Sequence, residues 1–145
     1  MERPPPHFPR HRGFSIVEIL VVLGIVVVLM GFFLAARPMR AARRIELLGG
    51  HKQIADGRFA GARLWEFTLS HCRKLFDFCK GDPLYQNMHN QDGTVGDHDV
   101  DRLGELLDLY DAALAANPPQ STAEYEWRIE SLRRTLEARY LKLGN

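Results

Sequence analysis

The fold is decided near the N-terminus, where residues 14–36 read FSIVEILVVLGIVVVLMGFFLAA. A helix of this length spans about 35 Å, and the hydrocarbon core of a bilayer is roughly 30 Å thick. The stretch therefore predicts a single transmembrane helix over residues 14–36. A secretory signal peptide is the alternative, but its apolar region has roughly 7–15 residues and ends in small residues. Here the stretch is longer and ends at Arg37-Pro38.

Glu18 is the one ionisable residue within this apolar stretch. An ionised carboxylate inside a membrane costs roughly a few kcal/mol, so such a residue is by default a candidate for function. The structural alternative is a glutamate that reaches the interface or stays protonated. Arginines flank both ends of the stretch, so the positive-inside rule alone does not choose its orientation.

The residues around Glu18 form a longer pattern. A basic leader, residues 1–13, ends in Gly13 and is followed by Phe14, Ser15, two apolar residues and Glu18. This pattern resembles the processing and methylation motif of type IV prepilins and of the pseudopilins of type II secretion systems. The resemblance covers residues 10–36. It depends on three features occurring together: the Gly-Phe pair, a glutamate as the fifth residue after that glycine, and a long apolar stretch.

The resemblance implies a function for each residue of the motif. A prepilin peptidase would cut after Gly13, and Phe14 would become the new, N-methylated N-terminus. A buried carboxylate needs a partner, and the family implies that the Phe14 amine of a neighbouring subunit pairs with Glu18. The chain would then be a substrate of the peptidase and methyltransferase, and not an enzyme.

The resemblance also implies a location and partners. The leader would lie in the cytoplasm, the helix in the inner membrane, and the following residues in the periplasm. Other pilin or pseudopilin subunits and inner-membrane lipid would contact the chain. Residues 37–61 are expected to form a basic juxtamembrane connector, in which Pro38 kinks or breaks the helix. The arginines that follow, Arg40, Arg43 and Arg44, are expected to contact lipid head groups.

Residues 62–145 are predicted to form a small helical soluble domain. Apolar residues at helical spacing indicate helices over 62–80 and 100–116, and a capping box at residues 121–124 indicates a third. The third helix carries an apolar seam, which favours an αα-hairpin with residues 100–116 over a coiled coil. Its members are Tyr125, Ile129, Leu132, Leu136, Tyr140 and Leu143. The expected class is mainly α, with little or no β-structure.

The lack of predicted strands departs from the family, whose soluble domains usually contain an antiparallel sheet. It favours a minor pilin or divergent pseudopilin over a major subunit. It also leaves an alternative function open. The chain would then be an uncleaved single-pass membrane anchor that displays a helical protein-interaction module, with or without calcium.

Residues 88–99, MHNQDGTVGDHD, resemble a calcium loop of the EF-hand or dockerin type. The candidate ligands are Asn90, Asp92, Thr94 and Asp99, and Gly93 occupies the turn position of such loops. Met88 occupies the first ligand position, where it supplies no oxygen. The alternative is a metal-free turn in which Asp99 caps the next helix. No other cofactor is predicted.

Two further features restrict the function. Cys72 and Cys79 are seven residues apart, about 10 Å on a helix, which is too far for a disulfide. They are predicted to be buried thiols, because zinc binding with His71 and His89 fits no standard spacing. Residues 1–44 have a charge balance of +5 and the remaining residues one of −4, so no basic stripe predicts a nucleic-acid partner.

Overall fold

The computed structural model of the protein describes residues 15–143, without the side chains of residues 35–38. The chain divides after Met39 into two compact units, and we call the second one, Arg40–Asn145, the head. The described residues form five helices: α1 Ile16–Ala55, α2 Ala62–Lys80, α3 Pro83–Asn87, α4 His98–Ala115 and α5 Ala123–Tyr140. Between residues 15 and 143 there is no strand, only an isolated bridge between His89 and Val95. The predicted mainly α class is confirmed.

Helix α1 is longer than expected. It runs for 40 residues and continues through Pro38, so Pro38 does not break the helix, and a kink there stays a prediction. A proline removes one backbone hydrogen bond, and good helix formers lie on both sides of it. Residues 40–55, assigned from the sequence to a connector, are helical and belong to the head. Leu47 from this part of α1 lies in the core of the head with 2% of its surface exposed.

The three longer helices of the head follow the apolar patterns. Helix α2 has the predicted bounds, whereas α4 begins two residues early because the Asp97 carboxylate accepts the Asp99 amide hydrogen at 3.0 Å. The predicted capping box before α5 is wrong. Thr122 precedes this helix without capping it, and its hydroxyl donates instead to Glu126 Oε1 at 2.8 Å.

The short helix α3 was not predicted. In the structure the Asp82 carboxylate accepts the Leu84 amide hydrogen at 2.8 Å, and Pro83 takes the first helical position, where its missing N–H costs nothing.

The core of the head lies among α2, α4 and α5. The predicted hairpin is confirmed, because α4 packs most extensively on α5, and α2 lies against both. Fifteen side chains form one apolar cluster, about as many as a small helical domain needs for a single core. They are Leu47, Leu69, Cys72, Leu75, Phe78, Cys79, Val100, Leu103, Leu106, Leu107, Tyr110, Ile129, Leu136, Tyr140 and Leu141.

Candidate functional site

Ser15, directly before α1, and Glu18, in the first turn of α1, form a reciprocal cap. The Ser15 amide donates a hydrogen bond of 2.9 Å to Glu18 Oε2, and the Val17 amide donates to Ser15 Oγ at 3.3 Å. The first amides of a helix have no partner within it, so each of these bonds satisfies an otherwise unpaired donor. The carboxylate also lies at the positive end of the helix dipole. Glu18 is thus held at the start of the helix.

The sequence contained the signal for this cap. Ser15-Ile16-Val17-Glu18 has the spacing of a capping box, but only the glutamate had been singled out, for its charge. Gly13 and Phe14, the predicted processing residues, lie outside the described residues. Of these three residues the structure describes only Glu18. The roles of Gly13, Phe14 and Glu18 stay predictions.

The apolar part of α1 after Glu18 exposes large hydrophobic side chains on all sides. Ile19, Val27, Phe33 and their neighbours each leave about half or more of their surface uncovered. In water such a surface would be strongly unfavourable. Of the described residues, only α1 forms a helix that is long and apolar enough to cross a membrane. The surface is suited to contact lipid or other apolar helices.

Comparison with known proteins supports the motif. The family model described as the prokaryotic N-terminal methylation motif matches residues 8–34. The resemblance of this segment to prepilins and pseudopilins is confirmed by that match. No curated protein and no solved structure matches the chain. The chain therefore carries a prepilin-type methylation motif on a helix suited to anchor it in a membrane once.

The predicted calcium loop is a compact turn held by its own side chains. Asp92 Oδ1 accepts both the amide and the hydroxyl hydrogen of Thr94, at 3.0 and 2.6 Å, and Asn90 Nδ2 donates to Thr94 Oγ at 3.0 Å. Asp99 forms an ion pair with Arg139 at 2.9 Å. The structure thus brings Asn90, Asp92 and Thr94 together, whereas Asp99 is paired with α5. Calcium binding here stays a prediction.

The end of this loop is attached to α5 through Asp97, which the sequence did not single out. Asp97 is buried, and its Oδ2 accepts hydrogen bonds from Arg139 at 2.6 Å and from the Tyr140 hydroxyl at 2.9 Å. Burial, followed by the bond to Asp97, raises the pKa of Tyr140 above its ordinary value of 10.0. Asp97 therefore fixes the loop to the hairpin.

A second polar cluster was also missed. Glu137 on α5 is 1% exposed and accepts hydrogen bonds from three side chains: His51 on α1 at 2.7 Å, His71 on α2 at 2.6 Å and Arg133 on α5 at 2.6 Å. Burial alone would raise the pKa of Glu137, but the His71 bond and the Arg133 charge outweigh it and leave the pKa below 4.5. The cluster joins the end of α1 to the hairpin.

The two cysteines are free thiols in the core, as predicted. His71 donates to Glu137 and is not directed toward a metal with them. No group of three or more His, Cys, Asp or Glu side chains suited to a metal ion is found within the part of the chain that the structure describes. The two cysteines therefore behave chemically as packed apolar side chains.

Proposed function

We propose that this chain is a prepilin-like subunit that is cut after Gly13, methylated at Phe14 and assembled through residues 14–36. The assembly would be a type II secretion pseudopilus or a type IV pilus-like structure. The observation that carries the proposal is the methylation motif matched at residues 8–34, with Glu18 held at the first turn of an exposed apolar helix. The chain is then a substrate of a prepilin peptidase.

The geometry of Glu18 supports a specific step in assembly. Its carboxylate already accepts one hydrogen bond, from the Ser15 amide of its own helix. Cleavage after Gly13 creates an ammonium group at Phe14, and an ion pair with that group on a neighbouring subunit is stronger than the bond to a neutral amide. The precursor has no ammonium group at this position. Cleavage would therefore create the partner that Glu18 needs within a filament.

The apolar surface of α1 supports the same interpretation. Side chains such as Val21, Leu23 and Val28 can pack on neighbouring helices in many registers, because they carry no directional group. A single buried polar pair sets the register of helices that pack through apolar side chains. Glu18 is the one carboxylate between residues 15 and 34, so it alone can set the register within that segment by charge.

The N-terminal mass of the membrane-extracted chain tests the processing step. We expect a start at methylated Phe14 when the chain is expressed with a prepilin peptidase, and a start at Met1 without it. A known prepilin expressed alongside serves as the control. If that control is cut and this chain still begins at Met1, the proposed processing is wrong.

Substitution of Glu18 tests the assembly step. We expect Glu18→Ala to insert in the membrane and to be cleaved, but to lose most of its incorporation into sheared filaments. Ser15→Ala removes the other half of the helix cap and should be incorporated nearly normally. Glu66→Ala is the matched control, because Glu66 is exposed on α2 and forms no ion pair with the described residues. If Ser15→Ala and Glu18→Ala lose the same amount of incorporation, the role of Glu18 is to cap the helix and not to pair with a neighbouring subunit.

The strand-free head favours a second candidate. The described residues form helices and no strand, whereas the family usually has a sheet. An uncleaved single-pass anchor that displays this helical head for protein interaction would need neither processing nor Glu18. Such an anchor would begin at Met1 in the mass measurement and would tolerate Glu18→Ala.

A further inference from the structure

A basic pocket of about 330 Å³ lies on the head, where the first turns of its α1 segment meet the ends of α2 and α5. It combines cationic and apolar side chains. Its lining residues are Arg44, Phe78, Asp82, Leu84, Arg139, Tyr140 and Lys142. The calcium loop and the Glu137 cluster contribute none of them.

Each acidic group at this pocket is paired with an arginine. Asp82 Oδ2 lies 3.0 Å from Arg40. Arg139 pairs with both Asp97 and Asp99, at 2.6 and 2.9 Å, so this group keeps a net charge of −1. The pocket is basic overall only because Arg44 and Lys142 add two further positive charges.

Two cations at the pocket remain without an acidic partner. Arg44 donates one hydrogen bond, to the Leu141 carbonyl oxygen at 3.0 Å, and its remaining N–H groups are directed to no acid. Lys142 is exposed and forms no ion pair with any residue from 15 to 143. A guanidinium and an ammonium on one pocket are suited to a phosphate group.

The position of Arg44 in the chain limits what this anion can be. Arg44 follows the apolar stretch by eight residues, so even a fully extended chain would place it within about 29 Å of the membrane end. Anionic lipid head groups form the surface of that membrane, so their phosphates lie within reach of Arg44. Leu84, which lines the pocket and is 41% exposed, supplies an apolar contact that the acyl chains of a lipid can use and a free phosphate cannot.

We infer that this pocket binds the phosphate of an anionic phospholipid head group through Arg44 and Lys142. The inference rests on the membrane placement in the proposed function, and not on cleavage or filament assembly. It adds Lys142, which lies far from the membrane helix in sequence, to the arginines expected from the sequence to contact lipid. Bound lipid would hold the C-terminal end of α5 at the membrane surface.

The uncleaved full chain in a neutral detergent tests this inference without any peptidase. Dihexanoyl phosphatidylglycerol is titrated while the arginine side-chain and Lys142 amide signals are followed by NMR. Dihexanoyl phosphatidylcholine and inorganic phosphate are titrated in parallel. The variant is Arg44→Gln with Lys142→Gln. Lys52→Gln with Arg58→Gln is the matched control, because it removes two exposed charges that line no part of this pocket and form no ion pair with the described residues.

We expect saturable binding of phosphatidylglycerol that is weakened at least about 20-fold in the variant, or roughly fivefold for each charge. The single Lys142→Gln variant should show part of this loss with an unchanged fold. Binding that is equally strong for phosphatidylcholine or inorganic phosphate would overturn the lipid assignment. An equal loss of affinity in the control variant would show that binding does not depend on this pocket. None of these results depends on the N-terminal mass that tests processing.

Discussion

His71 Nε2 donates a hydrogen bond of 2.6 Å to Glu137 Oε1, and both side chains are almost completely buried. Two further donors, His51 and Arg133, complete the shell of this carboxylate. Removal of one partner from a buried charged cluster leaves the others unpaired, which is costly. A substitution of Glu137 alone should therefore weaken the attachment of α1 to α2 and α5.

We expect Glu137→Gln to lower the free energy of unfolding of the head by about 3 kcal/mol, because buried His71 loses its charged acceptor and Arg133 keeps only Glu130 as a charge partner. Urea unfolding of the detergent-solubilised full chain, followed by far-UV circular dichroism, measures this change. Glu66→Gln, at an exposed position, should change stability by less than about 0.5 kcal/mol. A similar small effect for both variants would show that the cluster contributes little.

The lowered pKa of Glu137 also predicts a pH dependence. Since the folded pKa lies below 4.5, the extra stability is present above about pH 4.5 and is lost as the pH falls through the folded value. Unfolding midpoints measured from pH 7 to pH 3 should therefore fall more steeply for the wild type than for Glu137→Gln. Glu130 and Asp101 also have lowered pKa values, so the variant should keep part of the slope.

Much of this architecture could be predicted from apolar spacing. The apolar faces of α2, α4 and α5 contain the side chains that become buried on folding. Leu75, Leu103 and Leu136 on these faces are fully buried. The length of α1 could not be predicted in this way. Pro38 and Gly49-Gly50 disfavour a helix locally, but Leu47 and His51 gain contacts with the head that local propensity does not include.

The polar clusters were predictable only in part. The Ser15–Glu18 cap is local, and its spacing is visible in the sequence. The partners of Glu137 come from three helices and are separated by up to 86 residues, so no spacing rule brings them together. Asp99 fits a calcium pattern locally. In the structure it pairs with Arg139, which lies 40 residues away and which the local pattern does not predict.

The two buried cysteines should be almost unreactive in the folded chain. Burial raises the pKa of the Cys72 and Cys79 thiols to about 12, so the thiolate fraction at pH 8 falls about a thousandfold below that of an ordinary thiol. Iodoacetamide at pH 8 should leave both unmodified in the native chain and label both in urea, as measured by mass spectrometry. Labelling of the native chain at the rate of a free thiol would contradict their burial.

Calcium binding at residues 88–99 predicts a saturable calorimetric signal from the full chain at millimolar calcium or below. Asp92 supplies the most exposed carboxylate of the loop, so Asp92→Asn should remove that signal. Asp56→Asn, at another exposed position, should leave it unchanged. If millimolar calcium gives no heat, the calcium prediction is wrong and the loop is held by its Asp92–Thr94 bonds alone.

Neighbouring glycines in α1 offer a matched pair that tests how closely this part of the head packs on α2. A Cβ atom at Gly50 would lie 2.5 Å from His71 Nδ1, whereas a Cβ at Gly49 meets nothing within 4 Å. Gly49→Ala should raise stability by about 1 kcal/mol, because alanine has the higher helix propensity. Gly50→Ala gains the same propensity but displaces His71 from Glu137, so we expect a net loss of about 2 kcal/mol. Urea unfolding of both variants decides the point, and equal stabilisation by both would mean that α1 does not pack on His71 in this way.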